Sequence, residues 1–86
     1  MDWEKYAFAT RTKQRRNILK TLERPYSPTA ISKAISARAN HITRNLKLME
    51  KEDIVYCTNP EKRKPRLYDL TDEGRKILDQ YEKTSK

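Results

Sequence analysis

Asn40, Arg44, Lys47 and Lys51 recur at i, i+4, i+7 and i+11, flanked by His41 and Thr43. At 100° per residue these side chains share one face of a helix. Such a face presents guanidinium and ammonium donors, the groups that neutralise anions. A second basic run, Lys62-Arg63-Lys64-Pro65-Arg66, follows downstream. Groups for other chemistries are scarce. One His and one Cys supply no metal site, no multi-cysteine zinc site and no internal disulfide. One Gly leaves no glycine-rich phosphate loop. No nucleophile, base and orienting group fall together, so an enzyme is the weakest reading and no cofactor is expected.

The charge balance agrees with a polyanionic partner. The 86 residues hold 20 Lys+Arg against 12 Asp+Glu, a net +8, with 37% charged and 35% hydrophobic residues. That length supports one domain, 1–86. From Lys5 to Met49 the only acid is Glu23. A merely solvated surface usually mixes both signs, so the run favours a polyanion as partner; the alternative is a soluble basic surface that needs none. No run of about 18 apolar residues is present, and Met1-Asp2-Trp3-Glu4 opens without an apolar segment. A membrane span and a secretory signal are therefore not expected. The expected location is cytoplasmic, in association with the nucleoid.

The elements that must position these residues follow from periodicity and punctuation. Trp3 to Phe8 suit a short helix or an extended arm. A helix begins near Thr10 or Thr12, carries Ile18, Leu19 and Leu22 inward with Lys13, Arg16 and Lys20 outward, and stops before Pro25. Ser27-Pro28 is an N-cap followed by a first-turn proline. Ile31, Ala34 and Ile35 then form an apolar stripe ending near Ser36. Ala37-Arg38-Ala39 is a three-residue connection. The next helix runs from about Asn40 to Lys51, with Ile42, Leu46 and Met49 inward. Ile54–Thr58 and Arg66–Leu70 read as two strands around the charged turn Glu61–Pro65. Thr71 caps a last helix with Ile77, Leu78 and Tyr81 on its stripe, and Lys83 to Lys86 form a fraying tail. Two short helices joined by a tight turn, then a hairpin, predict an α+β, mostly α, winged helix-turn-helix: a three-helix core, a two-stranded wing and a C-terminal helix. The core is expected over about 12–70. It is small enough that help from a second subunit is expected. Trp3, Tyr6, Phe8, Ile77, Leu78 and Tyr81 exceed what it needs, so segments 1–11 and 71–86 are expected to pack across a two-fold axis. Otherwise they cover their own core.

Four segments in this order are similar to a known group: Arg16–Leu22, Ser27–Ala34, His41–Lys47, and Asn59-Pro60 through Arg66–Gly74. Over about residues 3–82 the chain resembles small archaeal winged helix-turn-helix transcriptional regulators, relatives of the multiple-antibiotic-resistance and arsenical-repressor types. The resemblance implies dimeric binding to duplex DNA, with the third helix in the major groove and the wing beside it. His41, Thr43, Arg44 and Lys47 match the helix positions, and Arg63 or Lys64 the wing. Three positions depart from the family's usual glycines. Ser36-Ala37-Arg38 stands in the turn, Asp53 ends the third helix, and Pro65 sits in the wing. These bear on loop geometry, not on the fold.

Site assignments follow. Asn40, His41, Thr43, Arg44 and Lys47 are expected at base edges, Arg44 to guanine. Lys13, Arg16, Ser27, Thr29, Lys33 and Arg38 are expected at the backbone, with free N–H groups at the second helix start holding a phosphate. Arg11, Lys13, Arg15 and Arg16 cannot all face DNA, and those that do not are expected to pair with acids. Lys62, Arg63, Lys64 and Arg66 form the wing, directed at the minor groove or phosphates. Cys57 reads as a small core residue rather than a redox switch. The alternatives are non-specific DNA or RNA binding of a chromatin type, and a winged helix that binds another protein. The sequence leaves any small-molecule effector open.

Overall fold

The computed structural model describes residues 1–84; Ser85 and Lys86 of the expected tail lie outside the described residues. The order is α1 (Trp3–Thr10), α2 (Lys13–Thr21), α3 (Pro28–Ile35), α4 (Ala39–Lys51), β1 (Val55–Cys57), β2 (Tyr68–Leu70) and α5 (Asp72–Thr84). This is a winged helix, mostly helical.

Local chemistry sets the boundaries. Asp2 Oδ1 accepts from the N–H groups of Glu4 and Lys5, so the first segment is a helix and not an arm. Thr12 Oγ1 accepts from Arg15 N–H and starts α2. Ser27 Oγ accepts from Ala30 N–H, with Pro28 at the first helical position of α3. Ser36 ends α3 in the left-handed region, φ 55°, and Asp53 follows α4 at φ 61°. These are two of the three positions where the family pattern leads one to expect glycine. The helix-turn-helix connection is 36–38, and α4 starts one residue earlier than expected because Arg38 is already its N-cap.

β1 and β2 are antiparallel, with Val55 opposite Leu70, Tyr56 opposite Asp69 and Cys57 opposite Tyr68. Both strands are shorter than expected. Beyond Thr58, whose N–H reaches Leu67 O at 2.7 Å, the Asn59 side chain replaces the ladder by accepting from Leu67 N–H at 2.7 Å. Tyr26 adds an isolated bridge on Tyr68, exchanging two backbone bonds of 3.0 and 2.8 Å. It ties the α2–α3 loop to the sheet.

One core unites the elements. It contains Ile18, Leu19, Leu22, Ile31, Ile42, Leu46, Met49, Ile54, Val55, Tyr68 and Leu70, and also Ala9 of α1 and Ile77 of α5. The core thus extends beyond the expected 12–70, because α1 packs on α2 and α5 within the protomer. The lone glycine, Gly74, lets α5 touch the wing base. A Cβ there would collide with Ile54 O. The buried carboxylate of Asp69 is held by Arg75 Nη2 at 3.1 Å to both oxygens and accepts from Leu70 N–H at 2.8 Å.

Candidate nucleic-acid interface

The amphipathic split of α4 builds the site. Ile42, Leu46 and Met49 are buried beneath it, which turns Asn40, His41, Arg44 and Lys47 to solvent, with Thr43 half-buried. Across from this helix stand the N-terminus of α3 and the wing. Together they line a groove of about 510 Å³. Ser27, Pro28 and Thr29 come from α3 and its cap, Thr43 and Lys47 from α4, Arg63 to Arg66 from the wing, and Tyr68 from the floor. No Asp or Glu lines it. Seven of the sequence-predicted contact residues therefore converge from three separate segments. Burial pushes the Tyr68 phenol up, and Glu50 adds to the rise.

The other predicted residues are placed as follows. Lys33 and Arg38 are exposed, as are Asn40, His41 and Arg44 on α4 and Lys62 on the wing, and none of the six lines the groove. Arg38 makes no side-chain cap, so the first N–H groups of α4 have no side-chain partner. Lys13 is exposed on α2. Arg16 is half-buried, and its Nη1 donates to Thr10 O at 2.7 Å. The expected pairing of the α2 arginines with acids does not occur. Arg15 instead donates to Phe8 O at 3.0 Å and Asn45 Oδ1 at 3.2 Å, with its guanidinium 4.1 Å from the centre of the Phe8 ring. Desolvation first, then the charge of Arg11, lowers its pKa. Among the described residues, Arg75–Asp69 is the only ion pair. None of the predicted contact side chains is pinned by a carboxylate.

The expected dimer residues divide. Trp3 is 59% exposed and packs edge-on against Tyr6. Ile77 is fully enclosed in its own core, so it cannot meet a partner, and its assignment to the interface is corrected. Tyr6, Phe8 and Leu78 are half-buried against the same core. Tyr81 lies under Lys20 Nζ, 5.4 Å from the ring centre. Cys57 is half-buried against the core, and its thiol donates to Asn59 Oδ1 at 3.5 Å.

Three participants escaped the sequence reading. Asn59 stood out only as a strand boundary and as the start of a family-like segment, not as a side chain with partners. Tyr26 forms a one-residue bridge, which leaves no periodicity. Asn45 receives Arg15 and donates to Gln14 Oε1, a contact that depends on how α2 crosses α4.

No described helix is long and apolar enough to cross a membrane. No cluster of three metal-ligating side chains occurs among the described residues. Several solved structures share the fold. MarR from E. coli in its apo form is 22% identical with a TM-score of 0.77, over 93% of this chain and 62% of that one. CouR, a transcriptional repressor bound to a 23-mer DNA duplex, is 22% identical with a TM-score of 0.75, over 93% and 61%. The adhesin competence repressor AdcR from Streptococcus pyogenes is 20% identical with a TM-score of 0.74, over 84% and 55%. This chain spans little more than half the length of these neighbours, and the likeness concerns the fold. No curated protein matches the sequence. The family model described as winged helix-turn-helix matches residues 10–86, nearly the whole chain, and the protein belongs to that family.

Proposed function

We propose that this protein is a transcriptional regulator that binds double-stranded DNA sequence-specifically as a homodimer. Its work is binding, not catalysis, and its expected place is the cytoplasm at the nucleoid. Helix α4 enters the major groove, where Asn40, His41, Thr43, Arg44 and Lys47 meet base edges. Ser27, Thr29, Lys33 and Arg38 meet the backbone, and the wing meets the minor groove or phosphates. One observation carries the reading. Three segments distant in sequence converge on a groove lined by cations and hydroxyls and by no carboxylate. CouR, a neighbour in fold, is a repressor bound to a DNA duplex, which supports DNA as the partner. Trp3, at 59% exposure, is the anchor offered to a second copy.

Selection of bound duplexes from a random library tests the proposal. A preferred two-fold sequence is expected. Arg44→Ala should lower discrimination at one base pair by about 1–3 kcal/mol. Lys33→Ala should weaken all duplexes alike. A selection that yields no preferred sequence points to non-specific chromatin or RNA binding. Full retention of activity after loss of both Arg44 and Lys47 points to a protein-binding module.

A further inference from the structure

The wing carries Lys62, Arg63, Lys64 and Arg66 between Asn59 and Leu67, beyond the last ladder pair, Cys57 with Tyr68. All four are exposed, so no core holds this loop, and its like charges repel. Thr58 holds the neck, its N–H and Oγ1 donating to Leu67 O at 2.7 and 3.3 Å, and one uncharged side chain closes the loop beyond it. Asn59 Oδ1 accepts from Leu67 N–H at 2.7 Å, and Asn59 Nδ2 donates to Pro65 O at 2.9 Å. Its own carbonyl accepts from Lys62 N–H at 3.0 Å. A carboxamide combines an acceptor and a donor at one short reach, and both ends of the loop are tied by it.

We propose that Asn59 is a positioning residue for nucleic-acid binding. It clasps the wing so that Arg63 and Lys64 stand across the groove from Lys47 before DNA arrives, and it touches no DNA itself. The inference rests on the DNA-binding reading above. An open loop has to be ordered during binding at a cost in chain entropy, whereas a clasped one is already in place. A neutral side chain therefore governs the strength of a charged contact.

The test compares four forms of the 86-residue chain on one selected duplex. These are the unaltered protein, Asn59→Ala, the wing-neutral variant Lys62→Ala/Arg63→Ala/Lys64→Ala, and the variant carrying all four changes. Asn59→Ala should weaken binding roughly 3–10-fold, the scale set by losing preorganisation. In the wing-neutral background it should change affinity by less than about twofold, since the two act through one contact. Trypsin should cut after Lys62 and Arg63 several-fold faster in Asn59→Ala, with the thermal midpoint little changed. An equal loss of affinity in both backgrounds, or unchanged trypsin protection, overturns the clasp. If Asn59→Ala does not fold, Asn59→Asp replaces it in the trypsin comparison. It keeps the acceptor for Leu67 N–H but cannot donate to Pro65 O. Protection below that of the unaltered protein supports the clasp, and undiminished protection overturns it. Equal binding by the unaltered and wing-neutral proteins overturns the wing's part in the DNA reading, and the clasp's role with it. Failure of Asn59→Ala alone leaves that reading standing.

Discussion

Ser36 and Asp53 hold ordinary side chains at φ 55° and φ 61°, where a Cβ crowds the following carbonyl. The left-handed region costs an L-residue about 1–2 kcal/mol, and glycine enters it freely but loses more chain entropy on folding. The first effect is the larger. Ser36→Gly should therefore stabilise the fold by up to about 1 kcal/mol, and Asp53→Gly by less, because Asp tolerates this conformation better. Gly74 predicts the opposite sign. Its added methyl would collide with Ile54 O, and that carbonyl already accepts from Thr71 N–H at 3.0 Å. Overpacking a site of this kind costs about 1–3 kcal/mol. Urea unfolding midpoints check both. A loss in Ser36→Gly together with a neutral Gly74→Ala would contradict the backbone argument. The missing turn glycines were legible in the sequence, because the helix-turn-helix pattern says where the chain must reverse. The role of Gly74 was not, because its neighbour is brought to it only by tertiary packing.

The recognition helix was the most legible element. Ile42, Leu46 and Met49 at i, i+4 and i+7 fix which way it rolls, and all three are buried. Its precise seat depends on something sequence spacing does not reveal. Arg15 of α2 joins the α1 carbonyl and ring of Phe8 to Asn45 of α4, between the exposed Arg44 and Lys47. Arg15→Ala breaks two charged hydrogen bonds and a stack at once. A loss of about 1.5–3 kcal/mol is expected, after allowance for partial exposure. Arg15→Lys should recover little of it, since an ammonium lacks the planar fork that bonds Asn45 and Phe8 while lying on the ring. Unfolding curves of the three proteins decide, and an Arg15→Lys protein as stable as the parent would remove the fork from the argument. The α2 arginines were expected to find acids, but few acids lie near them in sequence, and carbonyls and a ring took that place. The α1 helix had a legible signal in Asp2 with Glu4 in its first turn. The Tyr26 bridge had none, because a single paired residue carries no alternation.

Across the whole molecule the charge and the exposed aromatic surface act together. The protomer measures 35 × 25 × 19 Å, and its long dimension is close to one turn of duplex, about 34–36 Å between half-sites. In the proposed homodimer the two α4 helices have to stand that far apart to meet successive major grooves. With Ile77 enclosed in the core, Trp3 is the most exposed of the residues expected at that contact, with the half-buried Tyr6 beside it. Trp3→Glu places a charge there and should shift the protein from dimer to monomer in sedimentation, without unfolding it, because Trp3 is 59% exposed. The same substitution makes the salt dependence a test of assembly. If each protomer neutralises about four phosphates, the dimer displaces counterions from about eight. Log K then falls against log salt with a slope near −7, about −0.9 per phosphate. A Trp3→Glu monomer on a single half-site should show about half that slope, while keeping the base preference set by Arg44. An unchanged slope would mean that one protomer makes all the phosphate contacts, and the two-fold arrangement would have to be given up even if sequence preference survived.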